Sequence, residues 1–222
     1  CNLVRRWRRG NPVERLDNWR ERLQGSFRDA VAQEQLRAGD RQAGLFHVLL
    51  SWGFVLLFIG TTVVFIHADL RLPIMQGWFY LVFQSLILDL FGFGAIIGLG
   101  IALWNRYVTR PARLTHGVWS DGFFLWSLML IMVTGFLVEG IRIVATGDPW
   151  AGWSPIGLAT GRALAAAGLD TLDAQLIAHR TLWWFHMLVS FVFIGYVPFS
   201  KMMHMFTSPA AIFTRNLGNT GK

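Results

Sequence analysis

Two of the six histidines, His186 and His204, lie eighteen residues apart in the apolar run TLWWFHMLVSFVFIGYVPFSKMMH. At about 3.6 residues per turn this spacing is about five turns. An unbroken helix would point both imidazoles the same way, about 27 Å apart along its axis, near the thickness of a membrane. Imidazole within a bilayer is costly without a partner, and it is a good axial ligand for haem iron. The spacing therefore predicts a transmembrane helix with a haem at each end.

A bis-histidine haem needs a second ligand at the same depth on a facing helix. His47 opens an apolar stretch and His67 follows twenty residues later, about 30 Å further along a helix. The simplest scheme pairs His47 with His204 on one side of the membrane, and His67 with His186 on the other. Twenty residues of ideal helix turn His67 about 200° from His47, so His67 needs a bend or a frayed end to reach in. Gly60, Thr61 and Thr62 offer a place for one. His179, seven residues before His186 on nearly the same face, is a second candidate for the outer iron. Interfacial solvation would explain any single histidine at a membrane end. Four histidines at two matched depths call for another explanation. His116, in a basic loop, suits solvation or a propionate contact better than ligation.

The elements that would hold these residues are legible as apolar runs. With 54% hydrophobic residues, 11 Trp and 18 Phe, the chain suits lipid as its solvent. Stretches at roughly 45–66, 78–104, 118–144 and 182–203 each come near or above the ~18–20 residues that a spanning helix needs. They predict an all-α integral membrane helical bundle with four visible transmembrane helices. The net charge of +7 sorts by side: 1–44, 105–117 and the tail after 200 hold all but four of the 20 Lys and Arg, namely Arg71, Arg142, Arg162 and Arg180. The positive-inside rule places both termini in the cytoplasm. The tryptophans lie in apolar runs, which argues against nucleic acid as a partner. Cys1 is the only cysteine, so this chain alone forms no disulfide and holds no iron–sulfur cluster. The opening CNLVRRWRRG reads like the cytoplasmic exit of an earlier segment, as if the N-terminus were incomplete, and no cleavable signal peptide is visible.

Three regions follow. Residues 1–44 form a basic cytoplasmic segment, amphipathic through Val13, Leu16, Trp19, Leu23, Phe27 and Val31, which suits a helix resting on the membrane or a partner. Residues 45–206 form the transmembrane domain, with an external amphipathic loop at about 145–180. Residues 207–222 form a cytoplasmic tail. Within the second span, Gly92, Gly94, Gly98 and Gly100 would let helices approach closely. In the external loop Ser154–Pro155 is a helix start, and Leu164, Leu169, Leu172 and Leu176 suggest a short helix on the outer surface.

LFH at Leu45–His47, PFSKMMH at Pro198–His204 and the His186 spacing resemble the nitrate reductase gamma subunit family of membrane cytochromes b. The continuation SPAAIFTRNLG resembles the branch fused to or partnered with heterodisulfide-reductase-like iron–sulfur proteins, of the electron-transfer-flavoprotein:quinone oxidoreductase type. The likeness runs from about residue 40 to the end. It implies five helices, the missing one preceding Cys1, two b haems, and electron exchange between quinone and a cytoplasmic iron–sulfur partner. The nitrate reductase branch has a second histidine ten residues after the first, where this chain has Leu57. The carry-over thus covers His47, His186 and His204, while His67 rests on depth alone.

Quinone turnover moves two protons with two electrons. Asp89, an acid about eleven residues into the second span, is the candidate proton group, with Gln84 and Ser85 as weaker companions. A structural acid bonded to a neighbouring helix is the competing account of Asp89. Arg110 and Arg113 are candidates for haem propionates. Lys201 could do the same or face the partner, and Trp78, Trp183 and Trp184 suit an interfacial aromatic belt. The expected function is that of a membrane cytochrome b subunit or domain. It would be the quinone-reactive electron-transfer part of an oxidoreductase complex, carrying one or two b haems. Its partners would be an iron–sulfur protein or fused domain, menaquinone or ubiquinone, and lipid of a bacterial or archaeal inner membrane. The alternatives are a haem-free anchor or assembly protein and, with only Asp89 and the glycine-rich helix behind it, a transporter.

Overall fold

The computed structural model describes residues 15–111 and 119–217; Arg113 and His116 lie outside the described residues. No strand occurs among them, and four helices are long and apolar enough to cross a membrane: Arg41–Ala68, Phe79–Thr109, Trp119–Thr146 and Leu172–Phe199. The chain forms two compact units, Arg37–Tyr196 and a second made of Cys1–Leu36 with Val197–Lys222.

In the larger unit, α3 is Arg41–Ala68. It starts where extended Asp40 accepts a hydrogen bond from the Ala43 amide at 3.0 Å, an N-cap. The second span is α4, Leu88–Trp104, extended at both ends by π-helical segments, Phe79–Ile87 and Asn105–Thr109. Then come α5, Trp119–Thr146, α6, Pro155–Ala166, and α7, Leu172–Tyr196. Helix α4 packs on α3 and α5, and α5 packs on α6 and α7, whereas α3 and α7 share no extended packing. The core runs along α4 and α5 through Ala95, Leu99, Leu128 and Ile141, all nearly inaccessible. Phe193 of α7 joins it, edge-on to Phe124 at 6.2 Å.

Small residues set the α3–α4 distance, as the glycine run predicts, but mainly through Gly98 and its counterpart Gly53. A Cβ on Gly98 would lie 2.9 Å from the Phe46 carbonyl oxygen, and one on Gly53 2.6 Å from Ala95 Cβ. Gly100 faces open space.

In the smaller unit, the expected amphipathic helix is divided: α1 is Trp19–Ser26, a π-helical turn spans Phe27–Val31, and α2, Glu34–Gly39, follows a break at Gln33 with φ 54°. Helix α8, His204–Phe213, packs on α1. Arg22, 3% exposed, donates to the carbonyls of Phe213 at 2.9 Å and Arg215 at 2.7 Å, and Arg215 pairs with Asp29 at 2.6 Å. The guanidinium thus occupies the carbonyl end of α8, where a cation is favoured. Arg28, and with it Arg215, holds the Asp29 carboxyl below its ordinary range against burial. Leu16, Trp19, Leu23 and Phe27 stay exposed.

One expectation fails. His186 and His204 do not share a helix: α7 ends at Tyr196, short 3₁₀ turns at Val197–Phe199 and Lys201–Met203 follow, and His204 opens α8. Pro198 lacks an amide proton and its ring clashes with the carbonyl four residues earlier, so the helix cannot run through it unbroken. Ser200 is extended, φ −125° and ψ 172°, and accepts from the Met202 amide at 3.1 Å. The five-turn register is therefore lost. The last spanning helix also starts ten residues earlier than the apolar run suggests, so Leu172 and Leu176 belong to it and not to the external helix.

Gly98→Val should force α3 and α4 apart and cost about 1–3 kcal/mol, while Gly100→Ala should be neutral; thermal unfolding of the two variants in detergent, followed by circular dichroism, checks the contrast.

Candidate functional site

The histidines differ in what holds their rings. His186 is half-buried on α7, and its Nδ1 lies 2.9 Å from Oγ1 of Thr134 on α5. His204 is exposed, with Nδ1 2.9 Å from the Lys201 carbonyl oxygen. A carbonyl only accepts, so this Nδ1 carries a proton. His67, at the end of α3, is set the other way: the Met75 amide donates to its Nδ1 at 3.4 Å, which puts the neutral ring's proton on Nε2. His47 is half-buried in the second turn of α3. His179 stands two turns before His186 on the same unbroken helix. His67 and His186 stand on helices that do not pack on one another, and His47 and His204 belong to different compact units. Arg110, exposed at the left-handed end of the second span, folds back so that its Nε donates to the Tyr107 carbonyl at 3.0 Å.

A second cluster forms where α6 meets α4 and α5. Asp89, 2% exposed, accepts from the amides of Ile156 and Gly157 at 2.9 and 2.8 Å, one on each carboxylate oxygen. These are orphan donors of the first turn of α6, whose own N-cap residue Ser154 makes no capping bond. The Ser154 hydroxyl instead bonds Glu139 of α5. Asp89 thus caps α6 from another helix, adding a negative charge at the positive end of its dipole. Closeness of backbone helps: a Cβ on Gly157 would come within 2.9 Å of Glu139 Cδ, and one on Gly161 would strike the Gly140 carbonyl oxygen. Nearby, Arg142 pairs with Asp148 at 2.8 Å, and the Trp150 amide donates to Asp148 at 2.9 Å. Burial pushes the Asp148 carboxyl up, but these two bonds, the charge of Arg142 and a bond from Tyr80 together outweigh it and hold it below its ordinary range. Gln84, in the π-helical segment, donates to the Gly60 carbonyl at 3.4 Å, and its Oε1 is buried with no partner among the described residues.

Glu139 and Thr134 were not among the residues that the sequence singles out. An acid within the apolar run of the third span marks Glu139 by the same rule that picks out Asp89. Thr134 carries no such signal, because threonine is ordinary in a membrane helix and only the facing ring gives it a task.

Four spans long and apolar enough to cross a membrane define a multi-pass helical membrane protein. The chain is 34% identical over 202 residues to the EtfAB:quinone oxidoreductase of Syntrophomonas wolfei subsp. wolfei, covering 88% of this chain and 28% of that protein. It is 28% identical over 212 residues to the Probable iron-sulfur-binding oxidoreductase FadF of Bacillus subtilis, covering 92% and 28%. Over 137 residues it is 30% identical to one component of the dihydromethanophenazine:CoB--CoM heterodisulfide reductase of Methanosarcina acetivorans, covering 61% and 43%. The chain therefore spans well under half the length of these relatives. No family model and no solved structure matches. The relatives associate the chain with oxidoreductases, one of them iron–sulfur-binding, and not with the nitrate reductase gamma subunits that its motifs suggest.

Asp89→Leu should leave two buried amides unpaired and cost about 2 kcal/mol or more, whereas Asp89→Asn keeps one acceptor and should cost about 1 kcal/mol. Trypsin cleavage at the exposed Arg162 of α6 checks the order, with Leu fastest, then Asn, then the parent chain.

Proposed function

We propose that the chain is the membrane cytochrome b part of an oxidoreductase complex, carrying electrons between a cytoplasmic iron–sulfur module and membrane quinone. The observation that carries this reading is the state of two rings. His186 and His204 each hold Nδ1 against an oxygen of the chain, which fits a ligand whose Nε2 lone pair is reserved for iron. The names of the relatives, a quinone oxidoreductase and an iron-sulfur-binding oxidoreductase among them, support it.

The donor set fits b haem in kind, since imidazole is an established axial ligand. When bound, such a haem supplies one-electron redox chemistry at a potential that its ligands tune. In this reading His204 is a ligand of the cytoplasmic-side haem, and His186 and His67 are assigned to the outer one, with His179 as the alternative outer ligand. His67 would have to release its Met75 contact and move its proton to serve. Arg110 and Arg113 are assigned to propionates, and Arg110 would first leave the Tyr107 carbonyl.

Asp89 is assigned the proton uptake that quinone reduction requires, with Gln84 about one turn away on the same span as a polar companion whose Oε1 can accept. Glu139 lies near Gly157, the residue whose amide Asp89 receives. Asp89→Asn, which retains one of the two α6 cap bonds, should slow quinone turnover and leave the haem spectrum as it was.

The test of the reading is pyridine haemochrome stoichiometry on the purified full chain. The expected result is two b haems per chain, falling to one in His204→Ala. A haem content that His204→Ala does not change contradicts the ligand assignment, and a chain free of haem leaves the anchor reading.

A further inference from the structure

We propose that Thr134 is the positioning residue of the outer haem ligand, locking His186 as an Nε2 donor through its hydroxyl; this rests on His186 being a haem ligand. Counting protons shows why. A threonine hydroxyl has one proton to give and lone pairs to receive. Thr134 is 5% exposed, and its Oγ1 lies 2.7 Å from the Leu130 carbonyl oxygen and 3.1 Å from that of Ile131. Both neighbours accept only, and the assignment gives the single hydroxyl proton to the nearer, the Leu130 carbonyl, the i−4 bond open to a helical threonine. What remains for His186, 2.9 Å away, is a lone pair, and only a protonated Nδ1 can use it. The neutral ring therefore has its proton on Nδ1 and its free pair on Nε2.

The next residue lies beside the ring. Gly135 places no side chain beneath the imidazole, and a Cβ built there would stand 3.4 Å from His186 Cε1. The ring thus rests against the Thr134–Gly135 surface of α5, with α5 and α7 packed together. An N–H bond from the non-ligating nitrogen fixes tautomer and ring angle and raises ligand basicity. The arrangement is present in the protein fold itself, so the ligand is set before any haem arrives.

Thr134→Val keeps the side chain's shape and removes the hydroxyl, and Thr134→Ser restores it. In the haem-free full chain in detergent, histidine ¹⁵N shifts should show the His186 ring, assigned by its loss in His186→Gln, as the Nδ1–H tautomer. Thr134→Val should turn it into a mixture, and Thr134→Ser should return the single form. On haem titration, Thr134→Val should weaken the His186-dependent haem by roughly 10- to 100-fold, leaving the other haem as it was. Circular dichroism of the three chains distinguishes this from misfolding, and misfolding in Val that Ser does not repair overturns the proposal. A His186-dependent haem whose affinity, low-spin g-values and midpoint potential are the same in Thr134→Val also overturns it, while leaving the ligand assignment standing. Haem content that His186→Gln does not reduce removes the ligand assignment and the proposal together.

Discussion

Lipid offers no hydrogen-bond partner, and that constraint organises everything the four spans do. Backbone groups are satisfied within helices, so each exception must be met by a specific side chain. The first turn of α6 is the clearest case: it docks against α4 and α5 because Asp89 receives its amides and Glu139 receives its Ser154 hydroxyl. Without a carboxylate from α4, that turn would stand uncapped inside the protein. The same rule places Thr134 against carbonyls of its own helix, and in the proposed assignment it then accepts from the ring of His186. A structural demand thereby becomes a chemical one, because the hydrogen bond that satisfies a polar side chain also decides which nitrogen faces away.

At the two acids beside the first turn of α6, structure and the proposed chemistry coincide. Asp89 holds α6 in position, and in the proposed reading the same carboxylate lies where a quinone entering from lipid would need a proton. It serves as a cap in the resting fold, and Glu139 lies beside it across Gly157. The contrast between Asn and Leu at position 89 separates the two duties, since the amide retains a cap acceptor but does not titrate.

Long apolar runs make the four spans legible, and Asp89 stands out because an acid in such a run requires a reason. Ser154–Pro155 marks the start of α6 to the residue, since Pro at the first helical position forgoes only an amide that has no partner. The register of His186 and His204 is misread when apolar continuity is allowed to outweigh Pro198, although the proline rule is there to apply. The start of α7 is also hidden, because Asp173, Gln175, His179 and Arg180 interrupt the apolar pattern at a helix end where Asp173 and Arg180 are exposed and Gln175 donates to the Leu169 carbonyl. Helix α1 shows its stripe in Leu16, Trp19, Leu23 and Phe27, but the break at Gln33 has no sequence signal, as glutamine seldom adopts a left-handed backbone. Pairings such as Thr134 with His186 arise from the packing of α5 on α7, and spacing along one chain does not encode them.

If this bundle passes electrons between quinone and haem, the visible spectrum of the oxidised, purified chain must respond to a quinol. A sharp b-type α-band should rise on adding quinol, rise further with dithionite, and lose part of its amplitude in His186→Gln. A dithionite-reduced minus oxidised spectrum without a haem band, from protein expressed with ample haem supply, would contradict the proposed electron path.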